Sequence, residues 1–234
     1  MQINLYKPKV MEFETLDVMY RQVCDIIEDK IHYTQQDKGV ARLLLSADNP
    51  CLPIYKKLAH SGIIDWQDIE LYQTDEKYVP KTDPNSKQKI ISDALGVINQ
   101  TAGSYFFDTS LEINTAIKNY NQILDTLDGV FFDQGIISVR SDGSIGGLFP
   151  GGNSIKHHDN YAIATQSPDS ASGPNRLSLT VETILNTEEL YIILTGESNR
   201  QVLLEMIEGN LPATEYPARV LLTHPNVTIF CCFD

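Results

Sequence analysis

The chain has 234 residues, 42% of them hydrophobic, and 18 Lys and Arg against 31 Asp and Glu, for a net charge of −13. This acidic balance excludes nucleic acid as a partner, because a phosphate backbone needs a basic surface. It also opposes any anionic ligand unless cations gather locally. No apolar run reaches the length of a membrane span and no signal-peptide pattern opens the chain, so we expect a cytoplasmic protein without membrane contact.

The first half of the chain alternates between helical and strand patterns. Apolar residues recur at helical spacing over residues 14–32. The short apolar run Val40–Leu45 predicts a buried strand, and Pro53 is placed to open a helix at its first turn. A strand over Asp68–Thr74 and a helix over Ser86–Leu95 complete this half.

The second half continues the alternation. A long helical stripe covers Leu111–Leu127, and a helix over Ser198–Glu208 ends before a glycine and a proline. Short apolar runs predict strands over Gly129–Phe132, Ile136–Val139, Tyr161–Thr165, Leu177–Val181, Leu190–Thr195, Val220–Thr223 and Val227–Cys232. We therefore predict a single α/β domain over residues 1–234, with a largely parallel sheet flanked by helices on both faces, Rossmann-like and doubly wound.

Ligands of such sheets bind beyond the carboxyl ends of the strands. Four loops follow predicted strands in this way: residues 46–53, residues 75–80, residues 142–151 and the segment at Gly196. We expect these loops to converge on one site.

Three blocks carry the most specific signal. Residues 142–151 read Asp-Gly-Ser-Ile-Gly-Gly-Leu-Phe-Pro-Gly, residues 75–80 read Asp-Glu-Lys-Tyr-Val-Pro, and residues 173–178 read Gly-Pro-Asn-Arg-Leu-Ser. In this order and at this chain length they resemble the 6-phosphogluconolactonase family, part of a larger group of sugar-phosphate isomerases and deaminases. The family's central signature runs Gly-any-Asp-Gly-His-any-Ala-Ser-Leu-Phe-Pro-Gly.

The resemblance implies hydrolysis of 6-phosphogluconolactone to 6-phosphogluconate in the pentose phosphate pathway, with no cofactor and no metal. The ligand is then a phosphorylated sugar lactone or sugar acid, and we expect a monomer or a dimer. Asp142 and Ser144 fall on the catalytic positions, Ser144 where the family has histidine. The substrate-binding positions implied by the resemblance or adjoining it are Ser46, Asp75, Lys77, Gly143, Arg176 and Arg200.

Several of these positions depart from the family pattern. A serine has no pKa near neutrality and cannot replace imidazole as a base without a partner. Where the family has Ser-Gly-Gly-Ser-Thr-Pro as a phosphate cradle, residues 46–51 read Ser-Ala-Asp-Asn-Pro-Cys, which adds the charge of Asp48 and removes an N–H donor at Pro50. Lys87 replaces the asparagine of a Ser-Asn pair, and Asn199 replaces a phosphate-binding lysine, with Arg200 one residue further on.

Three hypotheses follow. The first is an active lactone hydrolase that uses Asp142, Lys77 and Arg176. The second is a catalytically impaired relative that binds a sugar phosphate or another protein. The third, a sugar-phosphate deaminase or isomerase, fits less well, because residues 75–80 look closer to the lactonase form. A histidine of the pair His157 and His158 could fold back to supply the missing base, whereas their adjacency argues against a metal site.

Overall fold

The computed structural model describes residues 5–171, 173 and 175–234, in which ten strands and six α-helices follow one another. The strands are β1 (Lys9–Glu12), β2 (Ala41–Leu45), β3 (Ile69–Gln73), β4 (Asp75–Lys77), β5 (Gly103–Tyr105), β6 (Phe132–Ser138), β7 (Ala162–Thr165), β8 (Arg176–Leu179), β9 (Thr187–Thr195) and β10 (Val227–Cys232). The helices are α1 (Leu16–Lys38), α2 (Leu52–Leu58), α3 (Lys87–Leu95), α4 (Ile113–Leu124), α5 (Val181–Leu185) and α6 (Arg200–Ile207).

Seven strands form one sheet in the order β1-β10-β9-β6-β2-β3-β5, and every pairing in it is parallel. From β2 the chain proceeds to β3 and β5 on one side, then returns to β6, β9 and β10 on the other. The direction therefore reverses between β2 and β6, and a doubly wound sheet binds ligands at this point.

Helices cover both faces of the sheet, as predicted. Successive residues of β2 point to opposite faces: Leu43 belongs to the hydrophobic cluster that packs under α1, α2 and α3, and Leu44 to the cluster under α4, α5 and α6. Both leucines are buried, with 1% and 0% of their surface exposed. The sheet is thus apolar on both sides, which explains the short continuous apolar runs in the sequence.

A second sheet of three antiparallel strands, in the order β4-β8-β7, lies beside the carboxyl end of β3. Its link to the main sheet is direct: the Leu179 N–H donates to the carbonyl of Thr74, which stands between β3 and β4. The register places Lys77 opposite Arg176. This sheet brings the 75–80 and 173–178 blocks together, although Pro174 of the second block lies outside the described residues.

Glu76 joins β4 to the start of α3. Its carboxylate is buried and accepts the backbone N–H groups of Lys77, Lys87 and Gln88 at 2.8, 2.6 and 2.7 Å, while Ser86 caps the helix through Lys89 N. Burial raises the pKa of Glu76, and the backbone donors oppose that shift. Glu76 is therefore a structural anchor of the 75–80 block, and it fixes the position of Lys87 at the start of α3.

Three predicted strands differ from the structure in their bounds or their type. Of the run Gly129–Phe132 only Phe132 is in a strand, and it belongs with Ile136–Ser138 to the single strand β6, because the polar Asp133 is satisfied inside the sheet by Arg42 N–H and Lys38 Nζ. The run Val220–Thr223 lies in a 3₁₀ helix, Pro217–Thr223. A short apolar run fits a buried helical turn as well as a strand, and proline at the first turn favours the helix.

The sequence patterns missed four short elements: β1, β4, β5 and α5. The three strands have three or four residues each, and β1 is mostly exposed along the edge of the sheet. Strands this short are defined by the partner that they pair with, and not by an apolar period of their own.

The four cysteines, Cys24, Cys51, Cys231 and Cys232, are buried and form no disulfide. Across the described part of the chain, no helix combines the length and the apolar character that crossing a membrane requires.

We expect Glu76→Ala to lower the free energy of unfolding by about 1–3 kcal/mol, because it leaves buried backbone N–H groups without an acceptor. Urea denaturation measures the change. Glu197→Ala, which removes an exposed partner of Arg200, is the matched control and should change stability by less than about 0.5 kcal/mol. Equal losses in the two variants would contradict the anchoring role of Glu76.

Candidate active site

The loops that follow β2 and β6 meet at the point where the sheet reverses direction. After β6 the chain makes a tight turn over residues 140–144, closed by Gly143 N–H to Arg140 O at 2.8 Å and Arg140 N–H to Ser144 O at 3.1 Å. The Arg140 guanidinium extends towards the loop after β2, where its Nη1 lies 3.8 Å from Asp48 Oδ1. Topology alone therefore brings two of the predicted loops into contact.

Four basic side chains from separate segments surround this contact, and we call them the cation cluster: Lys77, Lys87, Arg140 and Arg176. Two carboxylates tie three of them together. Lys87 Nζ lies 2.8 Å from Asp75 Oδ1 and 3.4 Å from Asp48 Oδ1, and Arg176 Nη1 lies 3.9 Å from Asp75 Oδ2. Lys77 donates to Asn85 Oδ1 at 3.2 Å.

The pKa shifts reflect this crowding of charge. Burial alone would raise the pKa of Asp48, but Lys87 and Arg140 outweigh it and hold the pKa below its ordinary value. Burial lowers the pKa of Lys77, and the charges of Arg176 and Lys87 lower it further. The neighbouring cations thus favour the ionised form of Asp48 and disfavour the charged form of Lys77, as expected of an anion-binding surface.

The catalytic candidate Asp142 is exposed at the tip of the 140–144 turn. Its Oδ1 accepts Ser144 N–H at 2.9 Å, an arrangement that is typical of Asp before Gly and leaves the second carboxylate oxygen free to take a proton. Among the described residues, its carboxylate makes no hydrogen bond or ion pair with the cation cluster. It lies on the same turn as Arg140, however, two residues further along.

Gly143 has the positive φ of 81°, and a Cβ atom at this position would approach the Tyr216 ring to 2.6 Å. The Tyr216 ring therefore packs directly on the glycine backbone. Burial, followed by the charges of Glu205 and Asp142, raises the pKa of Tyr216 to about 12. The glycine is required for the turn and for this close approach.

Ser144, which stands in place of the family histidine, is completely buried. Its Oγ has no hydrogen-bond partner in the part of the chain that the structure describes. An enclosed hydroxyl without a neighbouring base cannot act as a nucleophile or exchange protons with a ligand. Its surroundings therefore favour a packing role over the catalytic role expected from its position.

Ser46 lies at the end of β2, where its Oγ donates to Asp48 Oδ2 at 2.8 Å and its carbonyl accepts the Tyr55 hydroxyl at 2.7 Å. Several N–H groups of this loop are already donated: those of Ser46, Cys51 and Leu52 go to the carbonyls of Ile136, Asp48 and Asn49. With proline at position 50, the loop offers few free donors to an anion.

Arg200 does not join the cation cluster. Its Nε donates to Glu197 at 3.0 Å, its Nη1 lies 3.3 Å from Glu12 Oε1, and its guanidinium covers the Phe233 ring at 4.6 Å. These contacts lie beside β1 and β10, on the far side of β9 from β6. In the described structure, Arg200 therefore does not supply to the cluster the positive charge that Asn199 lacks. The Asn199 amide itself donates to Thr195 O.

Neither histidine of the 157–158 pair hydrogen-bonds to Asp142 or Ser144 in the described structure. His157 is exposed and its Nδ1 lies 2.9 Å from Glu182 Oε1. His158 lines a cavity of about 880 Å³ next to Phe149. The described lining of this cavity contains no Lys, Arg, Asp or Glu, so the chemistry of an anion site lies in the cation cluster beside it.

The sequence patterns missed two members of the cluster. Lys87 was visible only as a departure from a Ser-Asn pair, and Arg140 occupies the position of the first glycine of the family's central signature. A charged residue that replaces a small or neutral one next to a motif is the signal that could have found both.

The doubly wound sheet and the basic cluster at its switch point define an α/β protein with a candidate anion-binding site. The chain belongs to the family of glucosamine-6-phosphate isomerases and 6-phosphogluconolactonase, whose model matches residues 14–230.

The chain is similar to the 6-phosphogluconolactonase of Haemophilus influenzae, with 26% identity over 93% of this chain and 95% of the relative. Among solved structures, it resembles the 6-phosphogluconolactonase of Thermotoga maritima, with 22% identity, a TM-score of 0.82 and coverage of 97% of this chain and 100% of the other. It also resembles a monomeric glucosamine-6-phosphate deaminase, with 22% identity, a TM-score of 0.78 and coverage of 96% and 97%. The two structural likenesses establish the fold.

We expect Gly143→Ala to destabilise the protein by about 2–4 kcal/mol, because the left-handed backbone and the Tyr216 ring both oppose a Cβ atom. Gly151→Ala is the control: its φ is 72° but no described atom lies within 4 Å of the added Cβ. Gly151→Ala should lower the free energy of unfolding only through its strained left-handed backbone, by about 1–2 kcal/mol. Urea midpoints compare the two, and equal midpoints would refute the contact with Tyr216.

We expect Ser144→Ala to leave the rate of lactone hydrolysis within about twofold and to raise stability by up to about 1 kcal/mol, because it removes an enclosed hydroxyl without a partner. Initial rates and urea denaturation give both quantities. A loss of rate of about 100-fold with unchanged stability would instead assign the hydroxyl to catalysis.

Proposed function

We propose that this protein hydrolyses 6-phosphogluconolactone to 6-phosphogluconate. The observation that carries the proposal is the concentration of Lys77, Lys87, Arg140 and Arg176 at the switch point of a chain whose net charge is −13. A phosphorylated ligand would be repelled by most of this surface and attracted at this place. Membership of the family and the name of the Haemophilus influenzae relative support the same substrate.

In this proposal, Arg176 and Lys77 bind the phosphorylated end of the substrate, with Ser46 and Asp75 at the border of the same site. Asp142 is the general base that takes a proton from the attacking water through its free carboxylate oxygen. A carboxylate is a weaker base than an imidazole near neutral pH, so we expect a slower enzyme than one with histidine at position 144. The cytoplasmic location and the monomeric or dimeric state stay predictions from the sequence.

A second candidate function is binding without catalysis. The enclosed Ser144, which leaves the site without an imidazole at the family position, specifically favours it. The protein would then retain a sugar phosphate at the cation cluster but would not open the lactone. Ligand binding and turnover, measured separately, distinguish the two functions.

We expect the protein to accelerate the opening of freshly generated 6-phosphogluconolactone above the spontaneous rate, and Asp142→Asn to lower kcat by about 10²–10⁴-fold. Asp17→Asn, which changes an exposed ion pair of α1, is the matched control and should keep the full rate. Proton release in a weakly buffered solution measures the reaction.

A rate equal to the spontaneous one, together with a rise in melting temperature on adding 6-phosphogluconate, would replace hydrolysis by the binding function. An Asp142→Asn variant with full kcat would remove Asp142 from the mechanism. Release of ammonia from glucosamine 6-phosphate would instead favour the deaminase hypothesis.

A further inference from the structure

Two guanidinium groups of the cation cluster lie against one aromatic ring. The Cζ atoms of Arg140 and Arg176 are 5.4 and 6.0 Å from the centroid of the Phe149 ring. Arg140 reaches the ring from the turn after β6, and Arg176 from the start of β8. The ring attracts each cation and limits the directions in which the two side chains can turn.

Both guanidinium groups retain donors that no carboxylate takes up. The Nε and Nη1 of Arg176 are enclosed and have no hydrogen-bond partner among the residues that the structure describes, and Asp75 Oδ2, at 3.9 Å from Nη1, has none either. Arg140 donates Nη2 to the carbonyl of Gly146, while its Nη1 is 3.8 Å from Asp48. Buried donors without acceptors are rare in proteins and indicate a place for a ligand.

The repulsion between the positive charges of Arg140 and Arg176 makes the space next to both guanidinium groups more favourable for an anion. Burial lowers the pKa of Arg176; Asp75 opposes the shift, and the neighbouring charge of Arg140 adds to it. Lys87 contributes indirectly, because it pairs with Asp75 Oδ1 at 2.8 Å and so shares with Arg176 the carboxylate whose Oδ2 is 3.9 Å from Arg176 Nη1. A dianion between the two guanidinium groups would relieve the repulsion and accept the free donors.

Asp48 makes contacts that hold Lys87 and Arg140 in place. It accepts Ser46 Oγ at 2.8 Å, and it lies within 4 Å of both Lys87 Nζ and Arg140 Nη1. Asp48, Lys87 and Arg140 each stand where the family pattern has a glycine or an asparagine, and they come from two loops and from the first turn of α3. Their mutual contact indicates that they form one unit, which takes over from a loop whose N–H groups are largely occupied.

We propose that Arg140, together with Arg176, binds the phosphate group of the ligand, and that Asp48 is a positioning residue that holds Arg140 in the site. The inference rests on the proposed function for the identity of the ligand. Two planar guanidinium forks suit the several oxygens of a phosphate better than point charges do. The glycine-rich cradle of the family is thereby replaced by side chains.

Calorimetric titrations with 6-phosphogluconate and with gluconate, which lacks the phosphate, test the role of Arg140. We expect Arg140→Gln to weaken the binding of 6-phosphogluconate by about 10–100-fold, the range of a charge-assisted hydrogen bond, and to leave gluconate unchanged. Arg140→Lys should recover part of the loss. Arg21→Gln, in an exposed ion pair of α1, is the control and should bind both ligands as the unchanged protein does.

The Asp48→Asn variant tests whether Asp48 positions Arg140. The substitution makes the site more positive by one charge, so the two possible roles of Asp48 predict opposite changes in affinity. If Asp48 acted through charge alone, 6-phosphogluconate would bind more tightly; if it positions Arg140, binding weakens, and KM rises with kcat little changed. We expect the weakening, by about 3–10-fold, the effect of losing one positioning contact. Tighter binding would overturn the positioning role. Circular dichroism and urea midpoints establish that each variant is folded.

The outcomes separate this inference from the proposed function. Binding that depends on Arg140 in a protein without lactone hydrolysis would reject the proposed reaction and keep the phosphate site. Hydrolysis in a protein whose Arg140→Gln variant binds 6-phosphogluconate normally would keep the reaction and overturn the phosphate site. Failure of the unchanged protein to bind 6-phosphogluconate at millimolar concentration would also overturn it.

Discussion

The pairing of two carboxylates, the half-buried Asp48 and the buried Asp75, with Lys87 is the interaction on which the functional end of the sheet depends. Charges that leave water are stable only when partners of opposite sign replace the lost solvation. Lys87 meets this requirement for both acids, with 6% of its side chain exposed. Because the two acids follow β2 and β3 and the lysine opens α3, these two ion pairs fix three segments at once.

The ion pairs of Lys87 with Asp48 and Asp75 also determine which positive charges stay available to a ligand. If Asp75 were free to approach Arg176, the two would form a closed ion pair and the guanidinium would have little left to offer a ligand. Lys87 pairs with Asp75 Oδ1, while Arg176 stays 3.9 Å from Oδ2 and keeps donors that have no hydrogen-bond partner among the described residues. A chain with 31 acidic side chains can in this way maintain a positive surface in one place. Local arrangement, and not net charge, determines the sign of the field that a ligand meets.

The family fold and the family chemistry are conserved to different degrees in this chain. The core of the sheet and its helices tolerate changes of sequence as long as apolar volume and pattern are kept, which is why the fold persists at 22% identity to the Thermotoga maritima structure. A proton-transfer residue or a phosphate cradle has no such tolerance, because its function depends on one atom type at one position. By the resemblance of the motifs, Ser144 and Asp48 occupy positions of this second kind.

The sequence by itself determined the layered α/β architecture and most of its helices and long strands, because burial on one face or on both leaves a local apolar period. It also located Lys77, Arg176 and the Asp142 turn through short motifs. Only the tertiary structure decided that β4 pairs with β8, that Arg200 is held by Glu12 and Glu197, that Ser144 is enclosed, and that Lys87 and Arg140 join the cluster. The physical reason is that an ion pair or a strand pairing is defined by the distance between residues remote in sequence, and no local pattern records that distance.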